Sequence, residues 1–353
     1  MPLIARRSVA ICIALTSVTG CTFSLFVPSK SITILSYNVQ NLFDDRANGL
    51  EYEEFDPNRS DWSTAEYYQR LESVSRIIRD ATRGGPDVVA LQEIEHLGVL
   101  EDLHDRFLAG LGYRYTSAIE SDDSPIVVGV ISRFPIVAAR SHSTHTELGR
   151  RIRPMLEVRL NAHGKPLTLF ICHWKSKSGG ARETEPLRIA QAEALADALR
   201  LRMAESPDLD IVVVGDLNES PDEYSRVRGA YPTALLESYN SEYFTGGLLI
   251  AGLPDGFIAG PETQDGRPEP LLYSPWSTST SVGSYYFRGI WQRIDHTLLS
   301  ATLFDNHAHS FEQFEVIERP YLLNADGAPL KYFPMSGTGF SDHLPLLLTL
   351  ATS

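Results

Sequence analysis

The run Ile211-Val212-Val213-Val214, halted by Gly215 and followed by Asp216, Asn218 and Pro221, constrains this chain more than any other stretch. Four β-branched residues in a row suit a strand buried on both faces, and Gly then Pro set its limit. Asp216 and Asn218 alternate beyond the run, so an extended backbone points a carboxylate and a carboxamide the same way. A proton acceptor and an orientable donor/acceptor at the lip of a sheet are well placed for catalysis. The same residue types also suit an ordinary strand-to-turn junction. The rest of the chain decides between the two.

The first 20 residues read as a segment to be removed. Arg6 and Arg7 precede the short apolar stretch SVAICIALTSV, and Val18-Thr19-Gly20-Cys21 follows. A basic start, a short apolar run and small residues before a cut site describe an export signal, and the run is too short to span a bilayer. Val-Thr-Gly-Cys resembles a bacterial lipobox, which implies a lipid on Cys21 and an exported, envelope-anchored protein. Thr22 in place of an Asp resembles the sorting pattern of outer-membrane delivery. Residues 21–31 are expected to form a tether and residues 32–353 one catalytic domain, a monomer. Without Arg6 and Arg7, Lys+Arg falls from 31 to 29 against 45 Asp+Glu, a formal charge of −16. Such a surface has no general attraction for nucleic acid or anionic lipid, so a polyanionic substrate requires a local basic patch. With Cys12 in the signal and Cys21 at the anchor, Cys172 is left as a small apolar core residue without a disulfide partner.

Ile32–Val39 reads as a strand, and residues 45–63 as a loop. Thr64 caps an expected helix to Thr82, with Tyr67, Leu71, Val74, Ile77 and Ile78 at helical spacing. Asp87–Glu93 is a buried strand, and a helix is expected over Leu97–Leu111. Further strands are expected at Ile126–Ser132, Met155–Leu160 and Leu167–Cys172, and a helix from about Glu185 to Met203. Residues 221–284, rich in Pro, Gly, Ser and Tyr, yield no assignment; so long an irregular excursion is often functional. Strands resume at Tyr285–Phe287 and in a run ending Ile294-Asp295-His296, and the chain closes with Ser341-Asp342-His343 leading into Leu344–Leu350.

One pattern recurs: an apolar β run, then a residue able to bind metal or move a proton. It yields Asn38, Glu93, His173, Asp216 with Asn218, Asp295, and Asp342-His343. The stretches LSYNVQNLFD, ALQEIE, ICHWKS, VVVGDLNESP, RIDHTLLS and SDHLPL resemble the motifs of the endonuclease/exonuclease/phosphatase superfamily, in its order, from about Ile32 to Leu350. That superfamily includes pancreatic-type deoxyribonucleases, abasic-site endonucleases, bacterial sphingomyelinases and inositol polyphosphate phosphatases. The implied fold is a four-layer α/β sandwich, two mixed β-sheets face to face flanked by helices.

Phosphoester cleavage is slow in water because an anion repels nucleophiles, and a hard divalent ion held by few carboxylates offsets this as a Lewis acid. Glu93 is the first expected ligand, with Asn38 and Asp342 beside it. No Cys/His cluster has zinc spacing, so Mg²⁺ or Mn²⁺ is expected. By the resemblance, Asp216 positions or deprotonates water, Asn218 orients it, and His343, held by Asp295, contacts the scissile phosphate. Family members differ on whether that histidine or that aspartate is the base. His173 would donate to a phosphate or leaving-group oxygen, with Asp122 or Asp123 as its partner. Arg153 would bind phosphate, amid Arg150, Arg151, Lys175, Lys177 and Arg182; Lys175 is counted with Arg153. His296 reads as strand-end structure.

The expected activity is that of a phosphodiesterase of endonuclease type on DNA or RNA. A sphingomyelinase-like phospholipase C, or an inositol-type phosphomonoesterase, is the enzymatic alternative. The first would expose an apolar hairpin, for which Leu248–Ile250 and Tyr285–Phe287 are candidates, though core packing is the preferred reading of both. A non-catalytic adhesin or nucleic-acid-binding lipoprotein would show broken motifs, and every motif here is intact.

Overall fold

The structure is a computed structural model and describes residues 30–121, 124–145, 149, 151–252 and 269–353. The chain begins with β1 (Lys30–Leu42), α1 (Thr64–Ala81), β2 (Val88–Ile94) and α2 (Leu97–Leu103). It continues through β3 (Tyr115–Ala118), β4 (Val127–Ser132), β5 (Ile136–His145), β6 (Arg151–Ala162), β7 (Lys165–His173) and α3 (Ala181–Glu205). Next come β8 (Asp210–Asp216), α4 (Glu223–Arg226), β9 (Leu235–Glu237), β10 (Leu248–Ala251) and β11 (Leu271–Tyr273). A hairpin of β12 (Tyr285–Phe287) and β13 (Ile290–Gln292) precedes β14 (Asp295–Leu299), β15 (His309–Val316) and β16 (Leu346–Thr352).

Two mixed sheets carry the molecule. A six-stranded sheet has the order β15-β16-β1-β2-β4-β3, and an eight-stranded sheet the order β5-β6-β7-β8-β14-β11-β10-β9. The valine run explains how they stack. Along β8, Val212 and Val214 join the large core shared by both sheets and by α1 and α2. Ile211 and Val213 face the other way, into a second core closed by Leu195, Ala196 and Leu199 of α3. The period of two thus buries both faces of one strand, as its unbroken apolar run requires. Phe170 and Cys172 of β7 join the α3 side, where the lone thiol is fully buried. Helices outside, sheets inside, the four-layer sandwich is present.

Several boundaries differ from expectation. Asp295 opens β14 rather than closing a strand, because β14 runs antiparallel to β8 and so brings its first residue level with Asp216 at the end of β8. β1 starts at Lys30, two residues inside the expected tether, because β16 extends the ladder to Lys30↔Thr352 and Ser31↔Ala351. Ser63 rather than Thr64 caps α1, its side chain accepting from the Ala65 amide at 3.2 Å. The helix expected over 97–111 is regular only to Leu103, loosens to a π turn over His104–Leu108, and ends against Gly112 at φ 82°. α3 begins at Ala181, where the Thr184 amide already donates to the Gly180 carbonyl. Residues 221–284 hold β9 to β11, the far edge of the larger sheet, so part of that excursion is core.

Candidate active site

The inner-face stripes end in polar residues at one edge of the sandwich. On β7 the stripe Leu167, Leu169, Ile171 continues to His173, and on β8 Val212 and Val214 continue to Asp216. Both pairings put these ends level: His173 is opposite Asp216, and Asp216 is opposite Asp295. Three neighbouring strands therefore present His, Asp and Asp side by side. The close parallel approach depends on Gly215, at φ 132°, where a Cβ would lie 2.0 Å from the Cys172 carbonyl oxygen.

The smaller sheet supplies the opposite wall. Asn38 of β1 donates its amide to Glu93 Oε1 and to Asp216 Oδ2, both at 3.1 Å, bridging the two sheets. Glu93 Oε2 accepts from the Asn41 amide at 3.0 Å. Glu93 sits at φ 64°, Asn218 at 54°, Gln40 at 53° and Asn41 at 57°. Left-handed non-glycine residues carry a backbone cost of about 1–3 kcal/mol each and gather at functional sites; four converge here.

His343 completes the cluster. Its Nδ1–H donates to Asp295 Oδ2 at 2.8 Å, while Nε2 lies 3.8 Å from Asp216 and 3.9 Å from Asp342. Burial alone would depress this imidazole, but the Asp295 carboxylate, then Asp216 and Asp342, hold its pKa well above the usual histidine range. Asp295 is itself steadied by the Ser284 hydroxyl at 2.5 Å. Burial raises Asp216, with Asp295 and Glu93 adding to it and His343 opposing. Burial and the neighbouring charge of Asp342 raise Glu93 as well. Crowded, desolvated carboxylates of this kind fit a hard cation, whose charge would relieve both effects.

The expected ligand set Glu93, Asn38 and Asp342 lies around that crowding. Asp216, Asp295 and His343 also form a group whose ligand atoms lie within 4.8 Å of one another. His343 and Asp295 are paired with each other, however, and a protonated imidazole repels a cation. A second group, Asp44, Glu95 and His96, is spent internally: Glu95 accepts from the Asp44 amide and Asn48, and His96 caps α2 at Gly98.

The geometry alters one expected role. Arg153 Nη1 lies 2.9 Å from His173 Nε2 and donates to it, since a guanidinium cannot accept. Burial and then the Arg153 charge hold His173 well below the usual range, so the ring is neutral with its proton on Nδ1. In this arrangement Nε2 is an acceptor, and the cation presented here is Arg153, which also donates to the Trp174 carbonyl at 3.2 Å. Nδ1 has no partner among the described residues; Asp122 and Asp123 lie outside them. Asn218 donates its side-chain amide to the same Trp174 carbonyl at 3.1 Å, and its backbone amide to Asp216 Oδ1 at 2.8 Å. Lys175 turns to its own loop, donating to Ser176 Oγ and the Ser178 carbonyl, and Lys177 pairs with Glu223 at 2.7 Å. Arg182 is exposed, while Arg150 and the Arg151 side chain lie outside the described residues. Among the described residues of the expected basic patch, Arg153 is the one that hydrogen-bonds into the site.

His296 points to the other side of β14 from Asp295 and donates Nε2–H to the Glu219 carbonyl at 2.7 Å. Leu248–Ile250 are buried in β10, whereas Tyr285–Phe287 are half-buried to exposed, contrary to the core packing preferred for them. Two residues without an expected catalytic role matter. Gln40 holds the loop before His343, accepting from the Asp342 and Tyr332 amides. The Tyr285 ring lies against His343, tilted by 34° with ring centroids 4.6 Å apart. Gln40 lies directly beyond the first strand tip, which was its only signal.

Two facing sheets with carboxylates, a carboxamide and an acid-paired histidine at one edge define a class of phosphoester hydrolases that work with divalent metal. A model of the Endonuclease/Exonuclease/phosphatase family matches residues 33–244, more than half of the chain, and the chain belongs to that family. No curated protein is matched by the sequence. Among solved structures, an endonuclease/exonuclease/phosphatase family protein of Bacteroides thetaiotaomicron is similar over 92% of this chain and 99% of its own, with 16% identity and a TM-score of 0.52. Truncated TDP2 of Caenorhabditis elegans is similar over 91% of this chain and 98% of its own, with 17% identity and a TM-score of 0.50. These likenesses are of fold.

Proposed function

We propose that this protein hydrolyses phosphodiester bonds of DNA or RNA as an endonuclease, with Mg²⁺ or Mn²⁺ as cofactor. One observation carries the reading: Asn38 joins Glu93 to Asp216 across the two sheets, while His343 stands paired to Asp295 beside them. Glu93, with Asn38 and Asp342, would hold the cation, which when bound supplies Lewis-acid charge to the phosphate.

The remaining work belongs to the chain. Asp216, its carboxylate raised by burial toward neutral pH, takes the proton of the attacking water. Asn218, its NH₂ anchored on Trp174, keeps its carbonyl oxygen for that water. His343, held protonated by Asp295, donates to the scissile phosphate, and Arg153 neutralises a non-bridging oxygen while His173 fixes its guanidinium. Assay of the purified protein with Mg²⁺ against plasmid DNA, RNA, sphingomyelin and inositol phosphates tests the reading. Nicking of the plasmid is expected; turnover of sphingomyelin or inositol phosphates without nucleic acid would replace it by an alternative.

We also propose that Cys21 is lipidated after removal of residues 1–20, placing a monomer on the outer membrane. Both segments lie outside the described residues, and among the described residues no helix is long and apolar enough to cross a membrane. Cys21→Ala is expected to leave the detergent phase in Triton X-114 partitioning; unchanged partitioning would remove the anchor.

A further inference from the structure

The β12–β13 hairpin stands beside His343 and takes no part in either core sheet. Its turn is Arg288-Gly289, at φ 50° and 84°, a pair of left-handed residues whose twist suits a two-residue hairpin. Tyr286 and Trp291 meet edge to face across the ladder, with centroids 5.4 Å apart, and Trp291 packs on the main core, which roots the hairpin. On the opposite face Tyr285 and Phe287 stand two residues apart, their rings 13° from parallel with centroids 6.2 Å apart.

That face leads directly to the chemistry. Tyr285 bridges His343 through the backbone, and the Leu344 amide donates to the Ser284 carbonyl at 2.7 Å. Phe287 is 47% exposed and its cross-strand partner Ile290 60%, a conspicuous apolar presentation on a chain with net charge −14. The Arg288 guanidinium lies 5.0 Å from the Phe287 ring centroid, so a cation stands at the outer end of the aromatic face. Flat rings level with a phosphate-binding histidine, flanked by a cation, match a nucleotide strand: bases stack on aromatics and the backbone meets the positive charge.

We propose that Tyr285, Phe287 and Arg288 form a stacking subsite for a nucleobase next to the scissile phosphate, so that the hairpin receives a single-stranded stretch of nucleic acid beside His343. This rests on the phosphodiesterase reading above. A bilayer is the other surface that exposed apolar residues can meet, but it draws on buried apolar area and has no use for ring planes. Ile290 and the fully exposed Met335 would serve a bilayer as well as Phe287 does. A base distinguishes the ring from the aliphatics.

The test compares the wild type with Phe287→Leu, Phe287→Trp and Met335→Ala, each checked for an unchanged melting temperature. Two readouts are used: kcat/KM on an oligothymidylate relative to methyl p-nitrophenyl phosphate, and anisotropy of a labelled oligothymidylate in EDTA, where turnover is blocked. Phe287→Leu, which keeps apolarity and loses the ring, is expected to lower the substrate ratio and the oligonucleotide affinity by roughly tenfold. Phe287→Trp should retain both, and Met335→Ala should match the wild type. Wild-type affinity in Phe287→Leu overturns the subsite. So does binding of sphingomyelin–phosphatidylcholine vesicles, lost in Phe287→Ala and kept in Phe287→Leu, by a protein that ignores the oligonucleotide. If no phosphodiester is cleaved while Phe287→Leu still weakens binding, the subsite stands and the hydrolytic reading fails.

Discussion

His343 and Asp295 form one buried pair: Nδ1 and Oδ2 are 2.8 Å apart, and the carboxylate holds the imidazole well above the usual histidine range. Groups coupled in this way have non-additive kinetic effects. His343→Ala is expected to reduce turnover by about 10³-fold or more, as electrostatic and proton-transfer contributions both vanish. Asp295→Asn should cost less, because the ring remains with its proton no longer fixed. The double variant should be no slower than His343→Ala. Losses that multiply in steady-state kinetics would show that the two work separately.

How much of this was legible in the sequence depends on burial. β7 and β8 announced themselves because both faces are apolar, so the polar residue ending each run stood out. β5 is mostly exposed over its described side chains and β15 is half-exposed, and β9 to β11 are three or four residues long, too short for a period to emerge. Each strand-tip residue was identifiable as a type, and the His343–Asp295 pair was implied by the family resemblance, but the other pairings across the chain were not legible. That Arg153 donates to His173, or that Lys175 turns into its own loop, depends on how β6 and β7 pair and on the loop that follows. The Arg288-Gly289 turn was hidden likewise, since left-handed arginine carries no compositional mark.

His296 makes stability depend on pH. Burial lowers its pKa to about 4, against an ordinary value of about 6.5 in an unfolded chain. Between those values the unfolded chain binds a proton that the fold refuses. The contribution is therefore full above about pH 6.5 and is lost as pH falls toward 4, about 3 kcal/mol at most. Urea midpoints from pH 7.5 to 4.5 should fall more steeply for the wild type than for His296→Gln, which can still donate to the Glu219 carbonyl. Equal slopes would contradict this.

Beneath the Asp216–Asn218 turn, Arg188 donates to Glu219 at 3.2 Å and pairs with Glu185, all three buried; Glu185 and Glu219 also cap the Ala234 and Leu235 amides. Burial and the neighbouring Glu185 already hold the Glu219 carboxyl well above the usual range, and Arg188 opposes this; removing the cation leaves the two buried acids without their counter-charge. Arg188→Met is expected to cost about 3–5 kcal/mol in denaturant unfolding and to lower turnover by displacing Asn218. A loss below about 1 kcal/mol, the size of a surface pair, would show that the network is dispensable.

Metal-dependent hydrolysis at the edge where Glu93 and Asp216 meet is most directly tested by plasmid nicking in EDTA, then with Mg²⁺ restored, for the wild type and Glu93→Ala. Wild-type nicking should stop in EDTA and return with Mg²⁺. Glu93→Ala should stay inactive at concentrations that saturate the wild type, while melting at an unchanged or higher temperature, since a half-buried carboxylate crowded by Asp342 has been removed. Full EDTA-resistant nicking by the wild type, or Mg²⁺-activated nicking by folded Glu93→Ala, would contradict it.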